Sequence, residues 1–70
     1  MDIKAAVGKN VRHFRELKGI SQEELAFEAD LHRTYVSGVE RGIRNPTVLI
    51  VAKLAEALGV APFKLLEINE

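Results

Sequence analysis

The side chains best placed for chemistry crowd into one short stretch, "HRTYVSGVERG", residues 32–42. Arg33 and Thr34 stand side by side as hydrogen-bond donors, and Tyr35 and Ser37 add two hydroxyls. Only Val36 and Val39 are strongly apolar there, and Arg41, Arg44 and Asn45 follow closely. Gly38 falls where a helix would prefer alanine, at a cost of about 1 kcal/mol, so a close approach to a phosphate or a packed neighbour must offset it. Catalysis finds little support: no nucleophile–base pair, phosphate loop or metal spacing is present. The chain has no cysteine, and nothing near its two histidines, His13 and His32, completes a metal set. Glu23, Glu24, Glu28 and Asp30 could suggest a catalytic carboxylate pair. Their place at a helix start and on its exposed face reads better as capping and solvation. The remaining chemistry is recognition by cations and slim donors, with no enzyme activity, cofactor, metal or small-molecule ligand expected.

Bulk properties narrow the class further. Seventy residues with 47% hydrophobic content predict one domain, residues 1–70. No apolar run reaches the ~18 residues that span a bilayer, and no signal-peptide pattern opens the chain, which predicts a cytoplasmic protein without a membrane partner. A core this small supplies roughly 3–5 kcal/mol, so a staple is expected, and association with a second copy is the one available. Net charge is zero, yet the charges are segregated. Lys4, Lys9, Arg12, Arg15 and Lys18 lead, Arg33, Arg41 and Arg44 follow, and the acids gather between and after them. A neutral chain can therefore present one basic face.

The elements that must position these groups are helices. Ile3, Val7, Val11 and Phe14 recur at helical spacing and predict a first helix over about 3–18, ended by Gly19. Ser21 with Glu24 is a capping box opening a second helix at about 21–29, with Ile20 able to staple onto Leu25. A tight turn around Leu31 leads to a third helix, about 32–41, with His32 at its cap, Val36 and Val39 inward, and Gly42 as its stop. After the loop "IRNP", Thr47 caps a fourth helix whose Val48, Val51, Leu54, Ala55 and Leu58 face the core, with Gly59 as its end. Pro62 opens a short fifth helix holding Phe63, Leu65 and Leu66. No alternating β-branched run occurs, so the expected class is all-α.

Two short helices joined by about three residues, here within about 21–41, have the layout of a helix-turn-helix, whose second helix enters the major groove of DNA. A groove about 12 Å wide calls for slim residues such as Ser37 and Gly38, and for donors such as Arg33 and Thr34 in the first turn. The segment "SQEELAFEADLHRTYVSGVERGIRNPTVLIVAKLAEALGV" resembles the helix-turn-helix domain of the phage repressor and Cro family, also called the Xre family. Within it, "RTYVSGVERGIRN" looks most like the controller proteins of bacterial restriction-modification systems. The resemblance implies a compact five-helix, lambda-repressor-like domain in a bacterial or phage-encoded regulator. It further implies a homodimer on a pseudo-palindromic operator in double-stranded DNA, controlling a restriction-modification operon. Carried over by position, Arg33, Thr34 and Ser37 would meet bases. Gln22 would hold a phosphate and brace the third helix, and Tyr35, Arg41, Arg44 and Asn45 would line the backbone. Tyr35 could instead pack against the second helix, and Arg44 could reach a base. Arg15 and Glu40 would form an internal ion pair.

One departure from the family pattern concerns assembly. Leu49 and Ile50 stand where relatives are often polar, while Val48, Val51, Leu54 and Leu58 already fill the inward stripe. Leu49, Ile50, Phe63 and Leu66, on the fourth and fifth helices at about 47–67, are therefore expected to form an isologous dimer contact. The competing function is an antitoxin-like or adaptor module that uses the same fold to bind protein.

Overall fold

Asp2, Ser21 and Thr47 each present a side-chain oxygen to a backbone N–H that the following helix cannot satisfy internally. Asp2 accepts from Ala5 N–H at 3.1 Å and opens α1 (Ile3–Lys18). At α2 (Gln22–Ala29), Ser21 Oγ accepts from Glu24 N–H at 3.0 Å, and Glu24 Oε1 accepts from Ser21 N–H at 2.9 Å. Thr47 Oγ1 accepts from Ile50 N–H at 3.2 Å to begin α4 (Val48–Leu58). α3 (Arg33–Glu40) differs, because His32 holds the cap position through its backbone alone and its imidazole makes no capping bond. α5 (Phe63–Leu66) is entered through Pro62. The computed structural model describes residues 1–68, all of their regular structure helical, and it confirms the all-α class in five helices.

Stops are as local as starts. Gly19 and Gly59 end α1 and α4 with φ +74°, a left-handed conformation that a side chain would oppose. Asp30 ends α2 in the same region, at φ 57°, as the one non-glycine residue among those described to do so.

α1 lies against α3 on one side and α5 on another, while α2 packs on α3 and α4. Val7 and Val11, Leu25 and Ala29, Val36 and Val39, Val51, Leu54 and Leu58, and Leu65 meet in the common core. One buried polar side chain crosses it: Asn10 Nδ2 donates to the carbonyls of Leu65 at 2.9 Å and Glu67 at 2.8 Å. That pair satisfies the free carbonyls at the end of α5 and ties them to α1. Gly8 marks the tightest crossing, where a methyl group would run into the backbone carbonyls of Val39 and Glu40.

Two expectations for α4 need correction. Val48 is 88% exposed rather than inward, and Ile50 is half-buried against the core rather than free. Val48 is the first helical residue, and it stops at the rim of an apolar groove shared with Ile3, Val51, Pro62 and Leu66. Periodicity gives a residue's angular position, not how far along the axis its neighbours extend.

Candidate nucleic-acid interface

The turn between α2 and α3 is closed by Leu31 N–H donating to Ala26 O at 2.8 Å. α2 packs on α3 and on α4, and the start of α3 is left uncovered. His32, Arg33 and Thr34 are exposed there, and Tyr35 and Ser37 are half-buried along the same helix. Arg41, Arg44 and Asn45 are exposed just after it. Among the described residues, no ion pair engages Arg33, Arg41 or Arg44. These three exposed arginines thus carry charge that the zero net charge of the chain does not reveal.

A clamp beneath fixes this helix. Arg15 Nε donates to Glu40 Oε2 at 2.6 Å and Arg15 Nη2 to Glu40 Oε1 at 3.0 Å, a two-pronged pair. Gln22 Nε2 adds a third bond to Glu40 Oε1 at 3.0 Å, and Arg15 Nη1 reaches Ile20 O at 2.9 Å. The Glu40 side chain is 4% exposed and that of Arg15 14%. The hydrogen bond to Glu40 raises the Arg15 pKa above its ordinary value, with burial pulling the other way, so the guanidinium stays charged at any working pH. α1, the start of α2 and the end of α3 are thereby locked at one carboxylate. Gln22 thus spends one of its two amide protons inward, on Glu40. Gln22 and Arg33 line one open concavity with Arg15, Ser21 and Glu23, so the two motif helices present donors to a shared space.

Beyond α3, the chain folds back on the helix. Ile43 and Arg44 N–H both donate to Gly38 O, at 2.9 and 3.2 Å. The Arg44 side chain then runs along the helix from Gly38, with its guanidinium carbon 5.7 Å from the centre of the Tyr35 ring. That distance is within the range of a cation–π contact. Gly38 therefore has a packed neighbour, a relation invisible from sequence even though the glycine itself drew notice. Asn10 and Gly8 were not singled out by sequence, since their partners lie far along the chain. The one available signal was Gly8 itself, a glycine in the middle of an amphipathic helix. Leu49, Phe63 and Leu66 are exposed and Ile50 only partly so, all away from the α2–α3 turn in sequence.

A tight α2–turn–α3, with Arg33 and Thr34 exposed at the start of the second helix and Arg41 and Arg44 exposed after it, defines a helix-turn-helix protein. The helix-turn-helix family HTH_3 matches residues 11–65, and the chain belongs to this family, one of DNA-binding regulators rather than of enzymes. Among its relatives is the control protein C.BamHI of Bacillus amyloliquefaciens, 49% identical over 67 residues, a match covering 94% of this chain and 83% of that one. The restriction-modification controller protein C.AhdI from Aeromonas hydrophila shares the fold with a TM-score of 0.86 and 47% identity, covering 89% and 94% of the two chains. The hypothetical transcription factor NHTF from Neisseria superposes with a TM-score of 0.91 and 50% identity, over 94% of this chain and 76% of its own. These likenesses bear out both the phage repressor-like resemblance and its narrower relation to controller proteins. Among the described residues, no helix is long and apolar enough to cross a membrane.

Proposed function

We propose that this protein is a sequence-specific transcriptional regulator that binds double-stranded DNA as a homodimer in the cytoplasm and controls a restriction-modification operon. The observation that carries the reading is the first turn of α3: Arg33 and Thr34 are exposed while the other end of the same helix is clamped through Glu40. A donor pair on a rigid support loses little freedom on entering a groove. Arg33 and Thr34 read base edges, with Ser37 beside them. Gln22, Tyr35, Arg41, Arg44 and Asn45 hold the sugar-phosphate walls and fix the register. Its kinship with control proteins supports the operon assignment.

Arg33→Ala is expected to narrow the preference for the cognate duplex over one mutated at the contacted base by about 1–3 kcal/mol, the worth of one bidentate pair. A competition mobility-shift assay measures this directly, and unchanged discrimination would remove Arg33 from base reading. Arg41→Ala should weaken binding to all duplexes alike and reduce the slope of log affinity against log salt by about one.

Dimerisation is assigned to α4 and α5. Leu49 is 67% exposed and Phe63 and Leu66 are exposed with it, with Ile50 contributing only its uncovered part. A two-fold pair would bury these side chains and place the two α3 helices about one DNA turn, ~34 Å, apart. Leu49→Glu is expected to shift the sedimentation coefficient to that of a monomer and to weaken operator binding. A dimer that survives both Leu49→Glu and Phe63→Glu would move the interface elsewhere.

A further inference from the structure

Gly38 is buried in the last turn of α3, without the positive φ that would call for a glycine, so alanine would adopt its backbone conformation without strain. What it lacks is room. A methyl group built on its Cα would lie 2.6 Å from Arg44 Cγ, and its three nearest neighbours would all be Arg44 side-chain atoms. The glycine is thus a notch into which the stem of one arginine is laid. Two further contacts hold the same arginine. Its backbone N–H donates to Gly38 O at 3.2 Å, fixing where the side chain starts. Its guanidinium lies 5.7 Å from the centre of the Tyr35 ring, fixing where the side chain ends.

We infer that Gly38 is a positioning residue: it lets Arg44 lie pre-ordered along the recognition helix, so that a second arginine is presented to DNA in the same frame as Arg33. The inference rests on the regulator reading and adds to it a device for holding a DNA-facing side chain in place before DNA arrives. An arginine free in solvent must surrender its rotamers on binding, whereas one already seated in the notch has done so on folding. The helix bears the penalty of a glycine in its interior. The gain is spent at the interface. The exposed guanidinium has no carboxylate partner among the described residues, so its charge stays available to a phosphate or a base edge.

Gly38→Ala separates this role from a merely structural one, because the added methyl meets a solvent-exposed side chain able to swing away rather than backbone. Alanine also favours the helix, so the thermal midpoint should stay level or rise. In the free protein, the Arg44 Hδ and Nε–H resonances should carry a ring-current displacement from Tyr35, identified by its loss in Tyr35→Leu. Gly38→Ala should abolish it. With a duplex selected by the wild-type protein, affinity should fall about 3–10-fold in Gly38→Ala, the cost of re-ordering one long side chain. In an Arg44→Ala background, the same substitution should change nothing. A retained ring-current displacement in Gly38→Ala, or an equal loss of affinity with and without Arg44, overturns the inference. Wild-type protein that selects no duplex contradicts the regulator reading instead, while the Arg44 resonances still report whether Gly38 seats the arginine.

Discussion

Arg15→Ala is expected to cost about 3–5 kcal/mol of folding stability, enough to leave a protein with so small a core largely unfolded at 37 °C. The effect comes from the partner left behind. Glu40 has a side chain only 4% exposed, and it accepts two bonds from Arg15 and one from Gln22. Without the guanidinium, a nearly buried carboxylate keeps a single neutral donor, and its desolvation is no longer offset. Glu40→Ala should be milder, since Arg15 is more exposed, keeps its bond to Ile20 O at 2.9 Å and can recruit water. Removing both charges together, as Arg15→Met with Glu40→Leu, should restore most of the stability lost by Arg15→Ala. Urea unfolding of the three variants measures this ordering. If Arg15→Ala unfolds with the wild-type midpoint, Glu40 is not the anchor of the motif.

Gly8→Ala is the second large effect, expected to reach the upper end of the ~1–3 kcal/mol typical of overpacking. In isolation, alanine would favour α1 by about 1 kcal/mol. Here the new methyl would meet the carbonyl oxygens of Val39 and Glu40, which are backbone atoms and cannot swing aside. α1 and α3 must separate, and Glu40 moves away from Arg15 as they do. The thermal midpoint should therefore drop by roughly 4–8 °C for each kcal/mol lost, for a domain of this size. A midpoint that holds or rises would show that the crossing is looser than the Gly8 geometry requires. The opposite responses expected at Gly8 and Gly38 follow from what each glycine touches: backbone in one case, a flexible side chain in the other.

The parts of this molecule legible in the sequence are those decided within a few residues. Ser21 with Glu24, Thr47, Gly19 and Gly59 mark helix ends because a cap and the amides or carbonyls it serves are three or four positions apart. The exposure of Arg33 and Thr34 also follows locally, since Val36 and Val39 fix which side of α3 faces in. Long-range placement was not legible from the residues alone. Asn10 satisfies carbonyls more than fifty positions away, at Leu65 and Glu67, and nothing near Asn10 announces it. Gln22 could be placed at the start of α2, but its bond to Glu40 depends on how α2 and α3 cross. Val48 and Ile50 differ from expectation for a similar reason: their burial depends on where neighbouring helices end. The Arg44–Gly38–Tyr35 arrangement needs the loop after α3 to fold back, which no periodicity encodes.

Selection from a pool of random-sequence duplexes, with bound DNA sequenced after several rounds, puts the most direct question to the exposed first turn of α3. Wild-type protein should enrich an inverted repeat whose half-site centres lie about one helical turn, ~34 Å, apart. Arg33→Ala, folded to the same midpoint, should lose its base preference at one symmetric position in each half-site while keeping the spacing. An unenriched pool, or an identical motif recovered with Arg33→Ala, would contradict the assignment of this helix to reading DNA.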